Sequence, residues 1–350
     1  MNKIVYIGES DIGKLRTNNE DTNIAQTIWD KNHVLGVAID GVGGYDGGER
    51  ASAIAKETIV SYLEQHSKGE KLDLLKKAVV EANNKIENER LTEKQFSNMA
   101  CVLTACLVEV EEKRINMVHV GDTRLYQYYN GALIKLSHDH SLIGYREEIG
   151  NLTEEEAMNH PERNLINRLV GDTFHHIDDK DFIEAVTFPL FPNSTLLLCS
   201  DGLSDMLTSE EILSVLKQTV SLRNKVKTLI QLANDKGGKD NITVVLIDYT
   251  DDNYGNNDKL TDKLEKNEEV QLQTPTDKKG RGYFGIIFFA LIGVILGLMG
   301  GWFGREILII PPEPLQNLID STIIKKDTIR IELNDTCVIR VIGEKLQKDT

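Results

Sequence analysis

The chain predicts an α+β fold, and three features carry that expectation. Apolar runs of strand length recur through its first 250 residues, at 4–7, 34–39, 115–120 and 196–199, and read as buried strands. Between them lie two long stretches whose apolar residues fall at helical spacing. Strands and helices then arrive in blocks rather than in strict β-α-β alternation, which favours an α+β packing over a parallel α/β sheet.

The elements follow in order. Residues 4–7 and 34–39 are the first strands. Ala51, Ile54, Ala55, Ile59, Tyr62 and Leu63 form one helical stripe, and Leu75, Ala78, Val79, Ala82 and Ile86 a second; both read as core faces. Residues 101–110 and 114–120 form a hairpin-like pair. Residues 125–129 and 133–136 are joined at Asn130-Gly131, a strong tight-turn signal. Thr153-x-x-Glu156 and Thr208-x-x-Glu211 are capping boxes that open later helices. Residues 251–282 are rich in Asp, Asn, Glu and Lys and poor in apolar residues, the composition of a flexible polar linker. Residues 283–303 are uncharged and apolar, long enough at about 1.5 Å per residue to cross a hydrocarbon layer of roughly 30 Å as one transmembrane helix. Residues 305–350 form a short tail in which 328–333 and 338–342 have the pattern of a small β-hairpin.

Five aspartates stand in short polar motifs that end or border these apolar runs. They are Asp21 after Arg16-Thr17-Asn18-Asn19-Glu20, Asp40 in Asp40-Gly41-Val42-Gly43-Gly44, Asp122 in Gly121-Asp122-Thr123-Arg124, Asp201 in Cys199-Ser200-Asp201-Gly202, and Asp240 in Lys239-Asp240-Asn241. One Asp-Gly alone is a turn signal. Five carboxylates at strand ends of one domain place oxygen ligands on a common rim, the set that Mg²⁺ and Mn²⁺ prefer.

In this order the motifs resemble the type 2C metal-dependent protein serine/threonine phosphatases, in particular their bacterial branch. Further pieces of the resemblance are Ser10-Asp11-Ile12-Gly13-Lys14-Leu15, Gly48-Glu49-Arg50-Ala51-Ser52, Asp139-His140-Ser141 and Gly238-Lys239-Asp240-Asn241-Ile242-Thr243-Val244. It covers roughly residues 1–248 and says nothing of the rest. It implies a four-layer αββα sandwich, two packed antiparallel sheets flanked by helices, with metals at one end. It also implies hydrolysis of phosphoserine and phosphothreonine by a water activated at a binuclear Mn²⁺ or Mg²⁺ centre. On this resemblance Asp40 bridges two ions, the carbonyl of Gly41 binds one, and Asp201 and Asp240 hold the other. Asp122 with Asp201 resembles a third metal site. Glu20 and Asp21 are outer carboxylates that accept from metal-bound water, Asn241 pins the strand end, and Arg16 clamps the substrate phosphate. The implied partners are phosphoproteins, namely Ser/Thr kinases and their substrates.

Two departures bear on the chemistry. Val42 stands where some relatives carry a histidine that protonates the leaving group, and Tyr45 replaces a further histidine, so the identity of any general acid is open. His140 reads as structural. Two other functions stay in view: a catalytically silent domain that only binds phosphoproteins, and a phosphatase of anti-sigma-factor antagonists. A silent domain would be expected to lose metal aspartates, and here Asp40, Asp201, Asp240 and Arg16 are all present.

Composition excludes other classes. A net charge of −15 and a pI near 5.1 argue against nucleic acid, whose binders rest on Lys and Arg contacts to phosphates. Four irregularly spaced cysteines (101, 106, 199 and 337) indicate a reducing compartment, and Cys101/Cys106 lack the second pair that a zinc site needs. Gly8-x-x-x-x-Gly13-Lys14 approaches a phosphate loop, but Leu15 stands where the magnesium-binding hydroxyl belongs. Residues 1–8 run directly into the first motif and do not read as a signal sequence. Lys278, Lys279 and Arg281 precede the apolar span, whereas Arg305 beside Glu306 follows it, which places the large domain in the cytoplasm and the tail outside. Gly293, Gly297 and Gly301 recur every four residues in the span, the spacing of a transmembrane homodimer face.

Overall fold

The computed structural model describes residues 2–43, 47–251, 307–309, 329–333 and 337–341. The chain divides into two compact units, Met1–Glu265 and Lys266–Thr350.

The first unit contains, in order, β1 (Asn2–Asp11), β2 (Thr22–Thr27), β3 (His33–Val42), α1 (Gly47–Gln65), α2 (Lys71–Thr92), β4 (Ala100–Glu109), β5 (Arg114–Val120), β6 (Arg124–Tyr129), β7 (Ala132–Lys135), α3 (Leu142–Glu148), α4 (Glu154–Met158), β8 (Glu184–Pro189), β9 (Ser194–Cys199), α5 (Asp201–Ser204), α6 (Ser209–Leu216), α7 (Leu222–Asp235) and β10 (Ile242–Asp251). They build two five-stranded sheets, β1-β10-β9-β6-β7 and β2-β3-β4-β5-β8, and every strand pair is antiparallel.

Side-chain alternation explains the layering. In β3, Leu35, Val37 and Ile39 join the core shared with α1 and α2, while Val34 and Ala38 face the second sheet. In β10, Val244 and Leu246 meet α6 and α7, and Val245, Ile247 and Tyr249 fill the space between the sheets. A period of two thus sends each strand's apolar residues to both faces, giving three core layers and a helix–sheet–sheet–helix stack. The sheets approach closely at Gly36, where an added Cβ would lie 2.8 Å from Ile247 Cδ1. The same alternation separates two cysteines: in β4, Cys101 faces the helices and Cys106 faces the other sheet, so they share no ligand site.

Both helical stripes are core faces, with Ala51, Ala55, Ile59, Leu63, Leu75, Ala78, Val79, Ala82 and Ile86 fully buried. Both capping boxes form, at Thr153 with Glu156 and at Thr208 with Glu211. The hairpins β4–β5 and β6–β7 stand where the pattern places them, the latter with Asn130 and Gly131 at φ 48° and 81°. Two strands carry no clear sequence signal, β2 and β8. They are the edges of one sheet and mostly half-buried, so neither face has a strict apolar alternation.

In the second unit β11 (Ile307–Ile309), β12 (Ile329–Leu333) and β13 (Cys337–Val341) form an antiparallel sheet in the order β11-β13-β12. The linker at 252–282 and the apolar span at 283–303 lie outside the described residues, and among the described residues no helix is long and apolar enough to cross a membrane.

Candidate metal centre

The five aspartates converge at one end of the first unit, each brought there differently. Asp40 lies inside β3, paired with Val102, rather than beyond its tip. Asp122 follows β5 and Asp201 opens α5 directly after β9; Asp21 and Asp240 precede β2 and β10 rather than following a strand. The close approach at Asp40 needs glycine, because a Cβ on Gly41 would lie 2.2 Å from the Gly48 carbonyl oxygen.

Loops around these carboxylates are locked by side chains. Asn241 Nδ2 donates to the carbonyls of Ile12 (2.9 Å) and Asn18 (3.0 Å), and its Oδ1 accepts from Glu20 N (2.8 Å). One amide therefore ties two segments, around Ile12 and at 18–20, to its own, a larger role than pinning a strand end. Lys14 N and Leu15 N both donate to the Gly238 carbonyl, at 2.7 and 3.2 Å. Asp21 is buried and accepts from Ser200 Oγ at 2.7 Å. Arg16 Nη2 reaches Asp240 Oδ2 at 2.6 Å with nearly half of its side chain exposed, so its guanidinium stands at the rim of the carboxylate group.

The electrostatics are those of uncompensated negative charge. Burial pushes the Asp21 carboxyl up to about 7, with Asp201 and Asp240 adding repulsion. Burial also pushes Asp122 up to about 8, and Asp201 adds to the shift. Asp40 is raised well above the carboxylate range by burial and by Asp21, Asp201 and Asp122 together. Asp201 is raised by burial and Asp240. Within this group Asp122 Oδ1 and Asp201 Oδ1 are buried and accept no hydrogen bond among the described residues. Buried charged oxygens without a partner are costly. A divalent cation satisfies both the charge and the lone pairs, so the donor set fits Mn²⁺ or Mg²⁺.

Sequence reasoning missed two residues here. Arg163, buried in the irregular segment between α4 and β8, binds Asp122 Oδ2 (3.4 Å) through Nη1 and pairs with Asp205 through Nη2. Asp205, at the end of α5, is pushed up to about 7 by burial and by Asp201. No periodicity or motif marks Arg163; only the fold brings its segment to Asp122. Tyr45 lies outside the described residues.

A second cluster, of His119, His140 and Glu184, has ligand atoms within 4.8 Å of one another, but of these only His119 Nε2 is unpartnered among the described residues. His140 Nδ1 accepts from Gly121 N (3.1 Å), and its Nε2 faces Arg168 Nη1 at 3.3 Å. Glu184 spends both oxygens on His138. A neutral imidazole has one acceptor nitrogen, so His140 is structural. Burial drives its pKa down to about 2.

The sequence profile of Protein phosphatase 2C matches residues 10–244. The serine/threonine phosphatase stp of Listeria innocua is 32% identical over 243 residues, covering 68% of this chain and 93% of its own. The serine/threonine protein phosphatase PstP of Mycobacterium tuberculosis is 32% identical over 276 residues, covering 79% of this chain and 51% of its own. Among solved structures, the PstP catalytic domain in complex with two manganese ions aligns at a TM-score of 0.62 and 30% identity, over 72% of this chain and 100% of that one. The phosphatase Stp1 of Staphylococcus aureus aligns at 0.64 and 28%, over 70% and 95%. The chain belongs to the protein phosphatase 2C family and is a metal-dependent protein serine/threonine phosphatase that uses Mn²⁺ or Mg²⁺.

Proposed function

We propose that this chain is a membrane-anchored phosphatase that hydrolyses phosphoserine and phosphothreonine in proteins and opposes Ser/Thr kinases. The observation that carries the site assignment is the pair of buried, partnerless oxygens on Asp122 and Asp201, set among Asp21, Asp40 and Asp240. Asp40, the Gly41 carbonyl, Asp201 and Asp240 are the residues that would hold two ions, and Asp122 with Asp201 a third. When bound, such ions lower the pKa of a coordinated water and neutralise phosphoryl charge.

The remaining residues bind and orient. Arg16 offers a planar fork at the rim, suited to two phosphoryl oxygens and permanently charged. Its contact with Asp240 fixes the guanidinium beside the ligand set. The Ser200 hydroxyl and Asn241 hold Asp21 and the 18–20 segment, the outer groups that orient metal-bound water. Val42 carries no proton to give. Of the histidines, His160 alone lines the cavity beside Asp201 and Asp240 among the described residues.

The full-length chain should hydrolyse p-nitrophenyl phosphate and phosphothreonine peptides with Mn²⁺, and EDTA should abolish both activities. Hydrolysis that survives chelation would overturn the metal reading, and phosphopeptide binding without turnover would favour the silent domain.

Anchoring rests on the sequence of residues 283–303, with cations on their N-terminal side, and pairing on Gly293, Gly297 and Gly301. The catalytic unit is cytoplasmic in this reading and residues 305–350 face outward. Cys101, Cys106 and Cys199 are buried, so a membrane-impermeant thiol reagent reports on Cys337. Labelling in intact cells is expected; labelling only after lysis would reverse the topology.

A further inference from the structure

Beside the metal centre lies a cavity of about 260 Å³, walled by residues 158–164 on one side and by Asp201, Asp205 and Asp240 on the other. Arg16 does not line it. If Arg16 holds the phosphoryl group, what enters this cavity is substrate beyond that group. Its chemistry is set by which polar groups are already committed.

Each carboxylate of the wall has a cationic partner or a place in the metal set. Asp240 holds Arg16, Asp205 holds Arg163, and Asp201 belongs to the metal set. The Arg163 guanidinium is likewise taken, by Asp122 and Asp205, and Asn159 Nδ2 donates to the Glu155 carbonyl at 2.8 Å. Lys239 and His160 keep free donors. Lys239 lines the cavity, is exposed, and pairs with no described residue. His160 Nδ1 accepts from Glu162 N at 3.1 Å, which puts the ring proton on Nε2 and leaves that N–H as a donor. Uncommitted donors with no uncommitted carboxylate select an acceptor-rich, negatively charged guest.

We propose that this cavity is a recognition subsite for an acidic side chain next to the phosphorylated residue, held by Lys239 and His160. It rests on the phosphatase reading above and adds to it a substrate preference: phosphoproteins whose phosphosites are flanked by Asp or Glu. Electrostatic complementarity of this kind contributes specificity more than raw affinity.

The test compares two phosphothreonine peptides that differ only in acidic or basic flanks, with the full-length Mn²⁺ enzyme. Wild type should favour the acidic peptide in kcat/KM by about threefold to fivefold, the range of an exposed ion pair. Lys239→Glu should shift that ratio by about tenfold, towards the basic peptide, whereas Lys239→Arg keeps it. His160→Ala should lower the ratio, and His160→Gln, which retains an N–H donor, should recover most of it. Both peptides meet the same metal centre, so a change in metal affinity cancels in the ratio. An indifferent wild type, or a ratio untouched by Lys239→Glu, would overturn the subsite while p-nitrophenyl phosphate turnover still supports the phosphatase. Absence of any Mn²⁺-dependent turnover would sink both.

Discussion

Asp122 and Asp139 are both buried aspartates of the same unit, exposed by 1% and 5%, and their environments push them in opposite directions. Asp122 lies among other carboxylates with Arg163 as its cationic neighbour, and its carboxyl rises to about 8. Asp139 is gripped by Arg124 through Nε (3.0 Å) and Nη2 (2.7 Å) and by Lys135 Nζ at 2.8 Å. Burial opposes its charge, but those cations outweigh burial and hold it well below the ordinary range. Around Asp139, Arg124 also reaches Glu147 (2.8 Å) and Lys135 reaches Glu148 (3.0 Å), so the group is close to charge-balanced. One cluster completes itself from within the chain. The other is completed only by cations from outside, and this separates a structural ion-pair group from a functional one.

The largest expected effect comes from Asp40→Asn. It should reduce phosphopeptide turnover by at least about three decades, about 4 kcal/mol of transition-state stabilisation. In metal-free protein it should raise Tm, because one repelling carboxylate is gone. A lowered metal-free Tm would contradict the picture of mutual repulsion.

Asp139→Asn should do the reverse. It leaves Arg124 buried with Glu147 as its remaining strong partner, and breaking such a pair costs about 3 kcal/mol, readable as a lower urea midpoint with and without Mn²⁺. An unchanged midpoint would mean that the Arg124 group contributes little to stability.

The smallest effect is in the pH dependence of metal stabilisation. Burial among like charges pushes Asp21 and Asp122 up to about 7 and about 8, far above the ordinary carboxylate range. Below about pH 4 they are protonated in both folded and unfolded chains. As pH rises from about 4 to about 8 the unfolded chain releases these protons while the fold still holds them, and the metal-free fold loses stability. Mn²⁺ removes that cost, and its binding displaces the protons. The Tm gain on adding Mn²⁺ should therefore be larger at pH 8 than at pH 5.5. His119 and His140 act with the opposite sign: both are lowered by burial, so stability falls as pH drops below about 6.5 and the unfolded chain takes up protons. A Tm gain independent of pH would show the carboxylates to be ionised already.

Local signals in the sequence determine much of this protein. Apolar runs specify the central strands, helical spacing specifies α1 and α2, Asn130-Gly131 sets the β6–β7 turn, and two capping boxes start α4 and α6, because each depends on residues close in the chain. The same locality makes all five aspartates legible, since each sits in its own motif. Other features depend on contacts between distant segments and were decided by the tertiary structure alone. The edge strands β2 and β8 exist through pairing with neighbours more than through their own pattern. Arg163 reaches Asp122 across 41 positions, and Asn241 ties Glu20 across 221. Whether a buried aspartate is paired, like Asp139, or repelled, like Asp122, is likewise invisible in one dimension, because the sign of its shift is set by charges that folding brings around it.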